Sequence, residues 1–87
     1  MLEILYAEEA HERIAAYNPT LQRRLKEAVE RLATHPELGK HLAGHLAGIS
    51  SYRTGDYRIL YRIDRPRQAL IVLTIGHRKD VYRRGRP

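Results

Sequence analysis

YRTGDYRILY, residues 52–61, is the stretch that decides the fold of this 87-residue chain. Its second half, with the residues that follow, places an apolar or aromatic side chain at every second position: Tyr57, Ile59, Tyr61 and Ile63. A period of two is that of a β-strand whose two faces meet different surroundings. Thr54-Gly55-Asp56 is typical of a tight turn, and another strand that ends near Arg53 is predicted on its other side. The stretch therefore predicts a β-hairpin.

The segments on either side of this hairpin predict further strands and a loop. Residues 64–68 contain a proline and predict a second turn, and residues 69–75 are apolar without alternation, as in a strand covered on both faces. Residues 37–48 contain three glycines and two histidines and are predicted to form a loop. At the start of the chain, one more short strand is indicated by alternating residues: Leu2, Ile4 and Tyr6.

Two amphipathic helices are predicted between the first strand and that loop. The first is indicated by apolar residues that recur every three or four positions: Ala7, Ala10, Ile14 and Tyr17. Asn18-Pro19 ends this helix and begins the next, since Asn caps well and Pro is tolerated at the first helical position. Pro36 prevents continuation of the second helix, whose apolar stripe is formed by Leu21, Leu25, Ala28, Val29 and Leu32.

These elements predict an α+β fold. An N-terminal strand and a helical hairpin are expected to pack on one face of a mostly antiparallel β-sheet. Residues 1–87 are expected to form a single domain, and residues 83–87 are expected to form a flexible tail.

The basic residues are concentrated in the second half of the chain. The net charge is +6, but residues 1–48 carry six Lys or Arg against seven Glu, whereas residues 49–87 carry ten against three Asp. Nine of those ten are Arg, whose planar guanidinium suits phosphate oxygens. A basic half of this kind indicates binding to a nucleic acid or to an acidic protein partner.

The composition disfavours several other classes of protein. The chain has no Cys, so neither a disulfide nor a thiolate nucleophile is available. Its longest apolar run, residues 69–75, is far shorter than the roughly 20 residues that span a bilayer. A cytoplasmic location is expected. No cofactor is expected, and no metal site is predicted, because His41 and His45 have helical spacing but no clear third ligand.

Three parts of the sequence resemble the RelE/ParE toxin superfamily of type II toxin–antitoxin systems. Residues 52–61 are similar to the central hairpin of these toxins, and residues 76–82, GHRKDVY, are similar to the end of their last strand. The second helix and the run from Leu32 to Gly44 also fit the family. The resemblance implies a toxin whose partner is a cognate antitoxin with an acidic segment. It is closer to the RelE-like members, which cleave mRNA in the ribosome, than to the ParE-like members, which inhibit DNA gyrase.

The resemblance also implies which residues carry the activity. Cleavage of RNA through its own 2′-OH needs a proton acceptor, a proton donor and cations that stabilise the transition state. Arg58 and Arg78 are similar to the family's arginines and are expected to hold the phosphate, while Tyr82 is similar to its C-terminal tyrosine. His77 is a further catalytic candidate, because histidine exchanges protons near neutral pH. The candidates for binding RNA phosphates are Arg53, Arg62, Lys79, Arg83 and Arg84.

One departure from the family pattern leaves alternative activities open. RelE-like toxins carry Lys in the strand before the Tyr-Arg pair, whereas this chain has Ile49, Ser50 and Ser51 there. Catalysis would then depend on His77 or Tyr82. The alternatives are a gyrase inhibitor without nuclease activity and an inert relative that binds only an antitoxin or RNA.

Overall fold

The computed structural model describes residues 1–77 of the chain. Its two α-helices are α1 (Glu8–Ala15) and α2 (Pro19–Thr34). Its strands are β1 (Glu3–Tyr6), β2 (Lys40–His41), β3 (Ser50–Thr54), β4 (Tyr57–Asp64) and β5 (Ala69–His77). Within these residues, no helix has both the length and the apolar character needed to cross a membrane.

The five strands form one sheet in the order β1-β5-β4-β3-β2. β1 runs parallel to β5, and the other neighbouring pairs are antiparallel. Buried residues of α1 and α2 share one hydrophobic core with alternate residues of β4 and β5, so the helices cover one side of the sheet. The predicted α+β architecture, with a helical hairpin on a mostly antiparallel sheet, is confirmed.

The segment between α2 and β3 contains a strand that the sequence does not indicate. β2 consists of Lys40 and His41, which pair with Ser51 and Ser50 of β3. The same segment contains two 3₁₀ turns, Pro36–Leu38 and Gly44–Leu46. The prediction of a loop over residues 37–48 is therefore wrong at β2, because a strand of two residues is too short to show a period.

The β3–β4 hairpin has a two-residue loop formed by Gly55 and Asp56, since Thr54 pairs with Tyr57. Gly55 has a φ of 60°, a left-handed conformation that residues with a Cβ rarely adopt. Glycine at the first position of a two-residue loop is what a type II′ turn requires, and the twist of that turn matches the strands it joins. The turn thereby fixes the strand register.

The core lies between the helices and one side of the sheet. The side chain of Asn18 caps α2 by accepting a hydrogen bond of 2.9 Å from the backbone N–H of Leu21. The apolar stripe of α2 packs in the core, as predicted, with Leu21 partly buried and the other four residues buried. It meets side chains of the two central strands. The buried residues of those strands in the core are Ile59, Tyr61, Leu70, Val72 and Ile75.

β5 contains one residue more than β4 in the ladder that joins them. Leu60 pairs with Thr74 whereas Tyr61 pairs with Val72, so Leu73 is the extra residue of a β-bulge. Because of the bulge, Val72 and Ile75 both reach the core although they are three positions apart. The side chains of β5 therefore do not follow one uninterrupted alternation.

Tyr61 ties the centre of the sheet to the segment after α2. Its side chain is buried, and its hydroxyl donates a hydrogen bond of 2.7 Å to the backbone carbonyl of Pro36. Burial raises the pKa of Tyr61 above the usual 10.0, although hydrogen bonds with the Gly39 backbone and the Ser50 side chain act in the opposite direction. The phenol is therefore held in the neutral form that donates to Pro36.

Tyr61→Phe is expected to lower the free energy of unfolding at about pH 8 by about 1–2 kcal/mol, because the Pro36 carbonyl loses its donor. The difference in the free energy of unfolding between wild type and variant is expected to become smaller above about pH 10. Tyr61 ionises near pH 10 in the unfolded chain but at higher pH in the native protein. The contribution of Tyr61 to stability is therefore fully present below about pH 10 and is lost as pH rises through the native pKa.

Urea unfolding followed by circular dichroism at several alkaline pH values measures both parts of this expectation. Burial also raises the pKa of Tyr6. Because Tyr6 is present in both proteins, its ionisation does not change the difference between their free energies of unfolding. A difference in the free energy of unfolding that stayed constant as the pH rose would contradict this expectation.

Candidate functional site

The side of the sheet that faces away from the helices carries a group of basic residues, which we call the basic face: Lys40, Arg53, Arg58 and Arg62. The three arginines alternate along β3 and β4 with residues that pack toward the helices. The period of two that buries one set of side chains therefore directs the other set to this face. Of the candidate phosphate-binding and catalytic residues, the structure places Arg53, Arg58 and Arg62 on one side of the sheet, with Arg53 and Arg58 adjacent and Arg62 four residues further along β4.

Arg53 and Arg58 occupy directly opposite positions on β3 and β4. Nε of Arg53 donates a hydrogen bond of 3.0 Å to the carbonyl of Gly55, which holds this guanidinium at the hairpin end of the sheet. Arg58 is half-buried. Like charges at directly opposite positions repel, and an anion bound between them lowers that repulsion through charge-assisted hydrogen bonds. The pair is suited to a phosphate group, which planar guanidinium forks bind with two hydrogen bonds each.

Acidic strand residues on this side of the sheet lie at the opposite end from the arginine pair. Glu3 of β1 and Asp64 of β4 are both level with Ala69, the first residue of β5, whereas Arg58 is level with Gly76 near its end. Asp64 also forms an ion pair of 3.7 Å with Arg67. The Arg53–Arg58 pair therefore has no acidic strand residue level with it on this side of the described sheet, although Asp56 lies in the adjacent hairpin loop and Arg62 lies near Asp64.

The ring of His77 lies on the other side of the sheet from Arg58. His77 pairs with Tyr57 in register, and the two rings meet edge-on with centroids 5.9 Å apart. Tyr57 also contacts Tyr17, at 5.5 Å between centroids, and packs against the core. The residue of β5 opposite Arg58 is Gly76. The structure therefore does not bring His77 together with the arginines, and its catalytic role stays a prediction.

The remaining sequence-predicted site residues lie outside the described residues: Arg78, Lys79, Tyr82, Arg83 and Arg84. The predicted tail, residues 83–87, also lies outside them. Their roles stay predictions.

Lys40 is a member of the basic face that sequence reasoning missed. It stands directly opposite Ser51, on the same side of the sheet as Arg53. The sequence gives little indication of where Lys40 lies, because the two-residue strand β2 is too short to show an alternation. A basic residue shortly before the family-like hairpin is the only hint.

Arg13 of α1 supports the end of β5. The ladder between β1 and β5 finishes with a hydrogen bond of 2.9 Å from the Ala7 N–H to the Val72 carbonyl. Beyond that point, Nη1 of Arg13 donates a hydrogen bond of 2.7 Å to the carbonyl of Ile75, a fully buried residue. The guanidinium takes the place of a strand partner that β1 is too short to supply, and it fixes the strand end that carries Gly76 and His77.

Arg13→Met is expected to lower the free energy of unfolding by about 1.5–3 kcal/mol, since a buried carbonyl loses a charged donor. Methionine keeps much of the apolar stem, so the loss reports mainly the hydrogen bond. The matched control is Arg23→Met on the exposed side of α2, with an expected change below about 0.5 kcal/mol. Urea unfolding measures both variants, and equal losses would contradict the role of Arg13.

Sequence comparison identifies the family. Residues 5–82 match a protein-family model that is described as the ParE toxin of the type II toxin–antitoxin system, parDE. The chain belongs to the ParE toxin family. Toxin RelG of Mycobacterium tuberculosis is 49% identical to this ParE-family chain over 47 residues, which make up 54% of each protein. Toxin RelE of the same organism is 41% identical over 46 residues, 53% of this chain and 47% of that protein. The chain thus spans about half the length of the curated relatives it matches.

Solved structures share the fold of this ParE-family chain over most of its length. The toxin–antitoxin complex RelBE2 from M. tuberculosis contains a chain 31% identical to it, with a TM-score of 0.80 over 87% of this chain and 96% of that one. The isolated RelE toxin of E. coli is 18% identical, with a TM-score of 0.76 over 98% and 95% of the two chains. The latter likeness shows the fold alone. The resemblance to the RelE/ParE superfamily is confirmed.

Proposed function

We propose that this ParE-family toxin cleaves mRNA on the ribosome, in the cytoplasm, and thereby stops translation. The observation that carries the proposal is the Arg53–Arg58 pair, in which two arginine residues occupy directly opposite positions of β3 and β4 on the basic face. Two planar forks so placed can hold one phosphate from two sides. The similarity to the toxins RelG and RelE supports a RelE-like activity.

The proposed chemistry is a displacement at phosphorus within the RNA. The 2′-oxygen of one nucleotide forms a bond to the adjacent phosphorus, and the bond from that phosphorus to the 5′-oxygen of the next nucleotide breaks. The products are a 2′,3′-cyclic phosphate and a 5′-OH. Arg58, with Arg53, stabilises the charge that develops on the non-bridging oxygens. For the proton transfers and further charge stabilisation we propose Tyr82 and Arg78, as the family resemblance suggests. The ring of His77 lies on the other side of the sheet from the arginine pair, so His77 is not assigned a step at this phosphate.

The partner that we propose is a cognate antitoxin whose acidic segment covers the arginines of the basic face. Several of the similar structures are toxin–antitoxin complexes, such as RelBE2 of M. tuberculosis and RelBE of E. coli. An acidic segment that orders on binding would neutralise the arginines and block the approach of RNA phosphates.

Addition of the purified protein to translating ribosomes, with mRNA integrity read by primer extension, tests this proposal. Discrete cuts inside codons are expected, and they should disappear when ribosomes are omitted. Intact mRNA together with loss of DNA supercoiling in a parallel gyrase assay would replace the proposal by gyrase inhibition. The absence of both effects would leave an inert relative that binds an antitoxin or RNA.

A further inference from the structure

The two-residue strand β2 adds one cation to the basic face at the edge of the sheet. The register row that crosses the sheet there consists of Lys40, Ser51, Leu60 and Thr74. Residues directly opposite each other on antiparallel strands project to the same side, so Lys40 lies on the side of Arg53 and Arg58. We propose that Lys40 is a phosphate-binding residue of this face that contacts the same RNA strand as the arginine pair. This inference rests on the proposed function and extends its binding surface.

Lys40 is close enough to the arginine pair to act on one RNA strand with it. One strand spacing and two residues along the strand separate it from Arg53, which gives about 8 Å between the Cα atoms by ordinary sheet dimensions. The side chains of both residues are exposed. The ammonium and the guanidinium can therefore contact one phosphate or consecutive phosphates.

The attachment of β2 to the sheet does not depend on the Lys40 side chain. Nδ1 of His41 lies 3.1 Å from Oγ of Ser50, which joins β2 to β3 on the other side. Gly39, just before Lys40, packs closely against the buried Tyr61. Within residues 1–77 the ion pairs join His35 to Glu37 and Asp64 to Arg67, so Lys40 takes part in neither. Its backbone is held on both sides, and its ammonium has no structural ion pair with a described carboxylate.

The surroundings of Lys40 favour RNA over an acidic peptide at this edge. A peptide that orders on a sheet derives much of its binding energy from apolar burial. Leu5 and Ile71, two partly exposed apolar residues on this side of the sheet, lie on β1 and β5, away from the β2 edge. Leu38 and Leu42, which are exposed and partly exposed, lie two residues before and two residues after Lys40 along the chain. On β3, the residues nearest to Lys40 on its side of the sheet are Ser51 and Arg53, and this polar, positive pair suits a phosphate.

The salt dependence of RNA binding tests the role of Lys40 separately from cleavage. The probe is a fluorescent single-stranded RNA of about 12 nucleotides, a length within the site sizes of single-strand binders. Lys40→Ala is expected to reduce the slope of log K against log salt concentration by about 0.7, the value for one lost phosphate contact on single-stranded nucleic acid. Lys40→Arg is expected to retain the slope. The matched control is Lys26→Ala on the exposed side of α2, which removes the same charge and should leave the slope unchanged.

Each outcome separates the role of Lys40 from the nuclease proposal. Equal slopes for Lys40→Ala and Lys26→Ala, or no binding of the RNA by the wild type, would overturn the role of Lys40 even if ribosomal cleavage were observed. A reduced slope for Lys40→Ala alone would support it even if the wild type cut no mRNA, in which case only the nuclease proposal would fail. Unchanged RNA binding with weaker binding of a poly-glutamate peptide would assign Lys40 to an acidic protein partner instead. Circular dichroism and urea unfolding verify that each variant keeps the fold.

Discussion

Arg58→Ala is expected to lower the rate of ribosome-dependent mRNA cleavage by about 100- to 1,000-fold, the usual effect of removing one preorganised donor to a developing charge. The fold is expected to persist, because the side chain projects from the side of the sheet opposite the core. Arg58→Lys should recover only part of the rate, since an ammonium keeps the charge but lacks the planar fork. Primer extension on translating ribosomes measures all three proteins.

The matched control for this variant is Arg23→Ala, which removes the same type of side chain from the exposed side of α2. It is expected to cleave at the wild-type rate, because α2 lies on the other side of the sheet from the basic face. An unchanged rate for Arg58→Ala, or equal losses in the two alanine variants, would mean that the active surface is elsewhere.

Gly39→Ala is expected to destabilise the protein by about 3 kcal/mol, near the upper end of ordinary overpacking effects. A Cβ at this position would lie 2.7 Å from Cε1 and Cζ of the Tyr61 ring and closer still to its hydroxyl oxygen. The backbone at Gly39, with φ −78° and ψ 165°, is one that any residue adopts, so glycine is needed there for space alone. Tyr61 is buried in the core and cannot move aside without loss of packing.

A double-mutant cycle separates this steric effect from a general weakness of the segment. In the Tyr61→Phe background the hydroxyl is gone, and the cost of Gly39→Ala in urea unfolding is expected to fall. A cost that is the same in both backgrounds would show that contact with the hydroxyl is not its source.

The helices and the hairpin could be predicted because their patterns are long and agree with their local end signals. α2 repeats its apolar positions over 16 residues and begins at a capping Asn followed by Pro. The alternation of β4 set Tyr61 against the helices, and the same alternation directs Arg58 away from them. Both the core and the arginine part of the candidate site therefore follow from one period of two.

The position of His77 could not be predicted in this way, because the bulge at Leu73 reverses the alternation of β5. Strict alternation from Leu70 would turn His77 toward the side of Arg58, whereas the extra residue turns it toward Tyr57. A single inserted residue is not detectable from the sequence in a strand whose apolar residues do not alternate with polar ones. The position of Lys40 could not be predicted either, because only its pairing with Ser51 of β3 shows on which side of the sheet it lies.

The parallel pairing of β1 with β5 has a consequence for the order in which the protein folds. β1 is the first and β5 the last strand of the described residues, and the two pair directly. Contacts so distant in sequence form slowly, because a long loop must close before they contribute. The sheet cannot be completed until β5 has been synthesised. The β3–β4 hairpin, whose contacts are local in sequence, is expected to form before this parallel pair.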